Sequence, residues 1–100
     1  IPLNMADGSL ICIGKGNADW NNSAPHGAGR ALSRTQAKEQ LTMQEYKKQM
    51  KNIFSSCVSI ATLDEAPMAY KNSNEIIKAI EPTAEIIDHL KPLYNFKAEE

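Results

Sequence analysis

The chain has 100 residues, of which 42% are hydrophobic and 23% charged, a composition typical of one small globular domain. Its 11 basic and 12 acidic residues give a formal net charge of -1, so any affinity for nucleic acid has to be local. No run approaches the roughly 20 apolar residues of a membrane span, and no basic segment precedes an apolar stretch as in a signal peptide.

The two cysteines, Cys12 and Cys57, lie far apart and belong to no Cys-x-x-Cys or Cys/His cluster. This arrangement indicates neither a zinc site nor a disulfide framework, and it favours a reducing, cytoplasmic location. The chain opens on Ile1-Pro2 without an initiator methionine, from which we expect a fragment or a processed product.

The first predicted elements are a strand and a helix. Residues 9–13 form a short apolar run that ends at Gly14, which favours a buried strand. Residues 33–55 contain strong helix formers without glycine or proline, which predicts one long helix. The charged residues of that helix predict a solvated face rather than an RNA track.

The second half of the chain predicts shorter elements. Residues 57–63 are apolar and partly β-branched, which favours a short strand. Beyond residue 74 the apolar residues keep helical spacing, but Pro82 interrupts it. Because an interior proline costs about 3 kcal/mol, we predict two short helices, the second ending before Pro92. Residues 93–97 favour a terminal strand or an extended tail, so the predicted fold class is α+β.

The loop at residues 22–30 carries the candidate chemistry. His26 stands between Pro25 and a glycine-alanine-glycine run, so one side of its approach has little steric bulk. Glycine N–H groups can come close to an anion, Arg30 offers a fork of donors, and a following helix would add its positive end. We interpret His26 as a nucleophile at phosphorus. The alternative is a tight loop leading into a helix, with His26 capping or partly buried.

Three separated motifs resemble the RtcB family of RNA-splicing ligases. They are Ser23-Ala24-Pro25-His26-Gly27-Ala28-Gly29-Arg30 with Leu32-Ser33-Arg34, Asp64-Glu65-Ala66-Pro67-Met68-Ala69-Tyr70-Lys71, and Leu90-Lys91-Pro92-Leu93-Tyr94-Asn95-Phe96-Lys97. Their order matches the C-terminal end of the family. The resemblance implies that residues 1–100 are one C-terminal fragment of an RtcB-like ligase domain whose N-terminal part is absent.

The resemblance implies a GTP-dependent reaction at His26, with RNA as the partner. In the family this histidine is guanylylated, GMP passes to an RNA 3'-phosphate or 2',3'-cyclic phosphate end, and a 5'-hydroxyl end displaces it in tRNA splicing or RNA repair. The manganese ligands of the family lie upstream, so we expect Mn²⁺ to be bound by the missing part and no metal ligand here. The isolated chain is therefore expected to be inactive.

The resemblance also implies a guanine-nucleotide pocket. Backbone N–H groups of Gly27, Ala28 and Gly29 and the guanidinium of Arg30 would meet the phosphates. The segment upstream of the histidine would supply further contacts from Pro2, Leu3, Asn4, Met5 and Ser9, although Asn4 stands where other members can carry serine.

Two downstream residues complete the implied pocket. Tyr70 has an aromatic face and hydroxyl suited to a base or ribose, and a Lys97 bond to O6 would favour guanine over adenine. Taken alone, Tyr70 is as readily a half-buried core residue and Lys97 a solvated charge. Two other functions therefore stay open: a non-catalytic nucleotide- or RNA-binding module, or a structural fragment that folds only with its missing partner.

Overall fold

The computed structural model describes residues 1–97 and contains helices and strands, which confirms the predicted α+β class. The regular elements in chain order are β1 (Pro2–Asn4), β2 (Gly8–Gly14), α1 (Arg34–Gln40), α2 (Met43–Gln49), β3 (Phe54–Ser55), α3 (Ser73–Ile80), β4 (Ala84–Leu90) and β5 (Tyr94–Asn95). Three short 3-10 helices connect them, at Ala18–Trp20, Ile60–Glu65 and Pro67–Ala69.

Two small sheets bring the ends of the described chain together. Strands β1, β2 and β4 form an antiparallel sheet in that order, with Pro2 opposite Ser9 and Leu10 opposite His89. Strands β3 and β5 form a short parallel pair in which the rings of Phe54 and Tyr94 stack at 5.4 Å. Residues near the start of the chain therefore lie beside residues 90–97.

The β1 segment lies between two apolar clusters. One cluster contains Leu3, Leu10, Ala28 and Ile80, and the other contains Met5, Tyr46, Met50, Leu63 and Ala66. The hydroxyl of fully buried Tyr46 lies 3.3 Å from Met5 Sδ and 3.1 Å from Thr62 Oγ1, which satisfies its polar atom inside the core. Side chains of β1 and the residue after it therefore anchor the N-terminal segment on both sides.

The helix predicted over residues 33–55 is two helices, and that prediction was wrong in length. Leu41 is extended, with φ -88° and ψ 152°, and ends α1. The hydroxyl of Thr42 then accepts the N–H of Glu45 at 3.2 Å and begins α2. A threonine hydroxyl can accept a hydrogen bond from a backbone N–H group, so threonine is favoured at helix caps over helix interiors. The prediction of one long helix relied on the absence of glycine and proline and missed this signal.

Two other predicted elements take a different form. Residues 57–63 do not form a strand, and most of them belong to the 3-10 helix Ile60–Glu65. At the start of this helix, the Thr62 hydroxyl oxygen accepts the N–H of the preceding Ser59 at 3.3 Å. The second short helix, predicted with Pro82 in its first turn, was wrong: residues 84–90 form the strand β4, which pairs with β2 over most of its length. Apolar residues at 84 and 86 face the core in alternation, a spacing that the helical interpretation also fitted.

Two further predicted elements are present, the strand at residues 9–13 and an extended terminal segment, but the strand is buried on one face only. The strand at residues 9–13 lies within β2, and Leu10 is buried, while Ile11 and Ile13 are 45% and 59% exposed on the opposite face. An antiparallel sheet covered on one side has this pattern. The terminal segment holds the short strand β5. No helix among residues 1–97 has the length and apolarity required to cross a bilayer.

Candidate functional site

The turn between β1 and β2 forms one wall of the site. The side-chain oxygen of Asn4 accepts the N–H groups of Ala6 at 2.9 Å and Asp7 at 2.8 Å, which closes the turn. Gly8 follows with φ +81°, a conformation that favours glycine. A Cβ at this position would collide with the carbonyl oxygen of Leu90, so the turn packs directly against the end of β4.

A cavity of about 400 Å³ lies between this turn, the loop after His26 and residues 90–97, a volume within the range of small-molecule sites. It is lined by all but one of the predicted nucleotide contacts, namely Pro2, Leu3, Asn4, Met5, Ser9, Gly27, Ala28, Gly29, Tyr70 and Lys97. The exception is Arg30. The chain thus brings residues from four distant parts of the sequence to one hollow.

The glycine-rich loop is attached to β1 on one side and to the segment after the 3-10 helices on the other. Ala28 is buried, and its N–H donates to the Pro2 carbonyl at 3.2 Å. The Lys71 N–H donates to the Gly29 carbonyl at 3.1 Å, and Gly29 has φ +76°. Within residues 1–97 the N–H groups of Gly27 and Gly29 have no acceptor, whereas that of Ala28 is already used.

His26 lies on the surface immediately before this lining. Its side chain is exposed rather than partly buried, and it makes no hydrogen bond or ion pair with the other described residues. The helix that follows is closed by its own cap: the Ser33 hydroxyl accepts the Gln36 N–H at 3.1 Å, and the Gln36 side chain accepts the Ser33 N–H at 3.0 Å. Part of the hydrogen-bonding capacity at the N-terminus of α1 is therefore used within the helix itself.

Arg30 lies behind the cavity wall instead of inside it. One guanidinium nitrogen donates to the Asp64 carbonyl at 2.7 Å, and the other to Glu65 Oε1 at 3.0 Å. The guanidinium carbon lies 4.9 Å from the centre of the Tyr70 ring, within the distance of a cation–π contact. Much of the guanidinium that the sequence assigned to phosphate is thus engaged with protein groups.

Glu65 is the centre of a charged cluster that joins Arg30 to the cavity. Arg34 donates to Glu65 Oε1 at 2.7 Å and to Asp64 Oδ2 at 2.5 Å. On the other carboxylate oxygen, Tyr70 donates its hydroxyl at 2.6 Å and the Lys97 ammonium lies at 3.5 Å. The side chain of Glu65 is only 10% exposed, so these partners compensate a largely buried charge.

The ionisation of this cluster follows from its contacts. Burial raises the pKa of Glu65. Hydrogen bonds from Tyr70 and Arg34 and the nearby cations lower it by more, so the pKa lies below its ordinary value. Burial and the negative neighbour Glu65 raise the pKa of Tyr70 to about 12. Tyr70 therefore stays a hydroxyl donor and Glu65 a carboxylate acceptor at neutral pH.

Several lining residues were missed from the sequence. They are Gly8, Leu90, Lys91, Pro92 and Asn95. The Asn95 side chain donates to the Met5 carbonyl at 2.6 Å and so joins β5 to the first wall. A signal for them exists, since four of these residues stand in the third motif. The central role of Glu65 was also missed, because the sequence alone presents Asp64 and Glu65 as loop caps as readily as participants.

A second, more polar cavity of about 540 Å³ adjoins the first and shares Asn4, Tyr70 and Lys91 with it. Lys71 and Lys91 supply positive charge to its lining, and Asp7 supplies negative charge. The Ser73 hydroxyl donates to Asp7 at 2.6 Å and lowers the pKa of that carboxyl, opposed by burial and assisted by Asn4. Among residues 1–97, no three histidine, cysteine, aspartate or glutamate side chains are grouped to hold a metal ion.

Comparison with known proteins identifies the family. The family model described as tRNA-splicing ligase RtcB matches residues 1–98. The RNA-splicing ligase RtcB of Escherichia coli strain K12 is 35% identical over 92 residues, covering 91% of this chain and 22% of the relative. The tRNA-splicing ligase RtcB of Methanopyrus kandleri is 34% identical over 86 residues, covering 80% and 9%. That of Pyrococcus horikoshii is 31% identical over 100 residues, covering 93% and 12%.

The chain therefore spans less than a quarter of the length of each of these relatives. The match nevertheless extends over almost all of its residues and includes the histidine loop, the charged cluster around Glu65 and the segment that carries Lys97. With a match of this extent, the chain belongs to the tRNA-splicing ligase RtcB family.

Proposed function

We propose that this chain is the C-terminal segment of a GTP-dependent RNA ligase and that His26 is the residue that receives GMP. The observation that carries the proposal is the shared cavity. Residues implied as nucleotide contacts by three separated motifs line one hollow, and the loop that begins at the exposed His26 is part of its wall. Its volume of about 400 Å³ suits a nucleotide-sized ligand.

In the proposed first step, a ring nitrogen of His26 attacks the α-phosphorus of GTP. A nitrogen–phosphorus bond forms, the bond from that phosphorus to the bridging oxygen breaks, and pyrophosphate leaves. An oxygen of an RNA 3'-phosphate then attacks the same phosphorus and releases His26. Finally a 5'-hydroxyl oxygen attacks the RNA phosphorus, a phosphodiester forms, GMP leaves, and the hydroxyl proton goes to solvent. A 2',3'-cyclic end enters after water opens it.

The cavity residues supply binding and orientation for this chemistry. The N–H groups of Gly27 and Gly29, which have no acceptor within residues 1–97, would donate to phosphate oxygens. Lys97 would donate to guanine O6, and Tyr70 would contact the base or ribose. Arg30 acts mainly through its bonds to Asp64 and Glu65 and so supports the wall from behind.

The proposed Mn²⁺ ligands and the proposed RNA-binding groups lie in different parts of the protein. The described residues do not fit a manganese site, so we propose that the Mn²⁺ ligands belong to another part of a longer protein, since this chain covers only 22% of the Escherichia coli relative. We assign no step to the metal. The net charge of -1 leaves RNA attraction to local groups, and Lys71 and Lys91 in the adjoining cavity are suitable ones. We place the enzyme in the cytoplasm, because both cysteines are free thiols.

The proposal is tested by labelling the full-length ligase with GTP that carries radioactive α-phosphate. We expect a covalent adduct in the wild type, stable to denaturation and labile to acid, and its loss in His26→Ala. The matched control is His89→Ala, since His89 belongs to β4 and contacts the Asp7 carbonyl instead of the first cavity. Undiminished labelling of His26→Ala would refute the nucleophile. GTP binding without any adduct would favour the non-catalytic module.

A further inference from the structure

The two carboxylate oxygens of Glu65 face different groups. Oε1 accepts from Arg30 at 3.0 Å and from Arg34 at 2.7 Å, on the side away from the cavity. Oε2 accepts from the Tyr70 hydroxyl at 2.6 Å and lies 3.5 Å from the Lys97 ammonium. Tyr70 and Lys97 both line the cavity, whereas Glu65 does not. One buried carboxylate therefore joins two cavity side chains to an arginine pair.

Lys97 needs such a restraint because little else among the described residues fixes its long side chain. It follows the two-residue strand β5, and its backbone N–H donates to Cys57 Sγ at 3.1 Å. Its side chain is 39% exposed and has four rotatable carbon–carbon bonds before the ammonium. A lysine with this freedom discriminates between bases only if its ammonium is held at the correct place.

We propose that Glu65 is a positioning residue for guanine selection: it holds Lys97 and Tyr70 in the orientation in which they contact the base. The proposal rests on the function proposed above and adds a residue that does not touch the nucleotide. The arginines on Oε1 fix the carboxylate, and the carboxylate in turn fixes the two residues on Oε2. Guanine preference thus depends on a group behind the cavity wall.

The test variant is Glu65→Gln in the full-length ligase. A glutamine has one oxygen in place of two, and its amide nitrogen cannot accept from Tyr70 or attract Lys97. If the remaining oxygen faces the arginines, Lys97 is released. We expect the GTP concentration at half-maximal guanylylation to rise about tenfold, because hydrogen bonds to charged groups carry that order of free energy. The preference for GTP over ATP falls by a similar factor, while the rate at saturating GTP changes much less.

The matched control is Asp64→Asn. The Asp64 carboxylate is the adjacent buried acid and pairs with Arg34, but it makes no described contact with Tyr70 or Lys97. Because Asp64 shares Arg34 with Glu65, we expect the change in nucleotide preference to be smaller in this variant than in Glu65→Gln. A second comparison adds Glu65→Gln to the Lys97→Met variant. If Glu65 acts through Lys97, the added substitution has little further effect on nucleotide preference. A purely structural role would lower stability and rate without altering the GTP to ATP ratio.

Each outcome decides the proposal. An unchanged GTP to ATP ratio in folded Glu65→Gln, or an equal change in Asp64→Asn, would overturn it. Absence of an adduct in the wild type would instead overturn the function proposed above. If melting shows that Glu65→Gln does not fold, Tyr70→Phe and Lys97→Met replace it, because these two residues share Glu65 as partner. Additive effects on nucleotide preference would contradict the proposal, and coupled effects would support it.

Discussion

Gly8 is the glycine of the cavity wall with the least room for a side chain. It has φ +81°, and a Cβ there would collide with the Leu90 carbonyl oxygen, which is part of the backbone. We expect Gly8→Ala to lower the free energy of unfolding by at least about 1–2 kcal/mol, the cost of the left-handed conformation alone. Urea unfolding of the full-length ligase measures this loss.

Gly14→Ala is the matched control. Gly14 is in the same strand, has no positive φ, and has open space where a Cβ would lie. An alanine there should leave the stability unchanged or raise it slightly, because the unfolded chain loses freedom. Equal losses in the two variants would show that the turn tolerates a Cβ and that the collision with Leu90 does not limit this wall.

Glu65 contributes to the pH dependence of stability, as does Asp7, whose pKa is also lowered. The folded pKa of Glu65 lies below the ordinary value of 4.5, so its contribution is complete above that value and is lost as the pH falls through the folded pKa. We expect the free energy of unfolding to decrease below about pH 4.5 in the wild type and to decrease less in Glu65→Gln. Denaturant titrations at a series of pH values measure the difference. Glu39→Gln, at an exposed position of α1, is the control for the loss of one carboxylate.

The residues of the site could be predicted from the sequence to an unequal extent. Gly27, Tyr70 and Lys97, which line one cavity, each belong to one of the three family motifs. The motifs indicated them together because a family resemblance can identify residues that are far apart in the sequence and close in the fold. The engagement of Arg30 could not be found in this way. It depends on Glu65, which lies 35 residues later and is brought to Arg30 by a 3-10 helix that the sequence pattern suggested as a strand.

The break between α1 and α2 gives a prediction at the scale of elements. The Thr42 hydroxyl caps α2 by accepting the Glu45 N–H at 3.2 Å. Loss of such a cap costs about 1 kcal/mol, so Thr42→Ala should lower the stability of the full-length ligase by that amount. Urea unfolding is the measurement, and Thr35→Ala, at an exposed position within α1, is the control. A smaller loss in Thr42→Ala than in Thr35→Ala would contradict the assigned cap.

The type of an element could be predicted where its apolar residues fitted only a helical or only a strand-like periodicity, and not where they fitted both. Residues 73–80 show helical spacing and form α3, as expected. Residues 84–90 fit a helical spacing as well as the strand that they form, and pairing with β2 decides between them. That pairing is a long-range property, since the two strands are separated by about seventy residues, and no local window contains it.

The described chain as a whole buries little apolar surface for its length. Its radius of gyration is 14.6 Å, compared with about 13 Å expected for a compact domain of 100 residues. Large apolar side chains are exposed on several faces: Ile11, Ile13, Trp20, Phe54, Ile60, Ile87, Leu90, Leu93, Tyr94 and Phe96. Surface of this kind is typical of a part that packs against further protein.

We therefore expect residues 1–100, expressed alone, to unfold in urea without a sharp cooperative transition and to bind a hydrophobic dye. The reason is that the two apolar clusters are small and many apolar side chains stay in contact with water. Circular dichroism and dye fluorescence measure these properties, with the full-length ligase as the control. A steep transition that coincides by both probes would contradict this expectation.

The cavity takes its walls from residues 2–9 and residues 90–97, the two extremes of the described chain. During synthesis on a ribosome, the first wall emerges before the last, so the cavity is incomplete until Lys97 has left the exit tunnel. A ribosome that stalls before residue 90 would leave a nascent chain that contains the histidine loop but lacks one wall of the cavity.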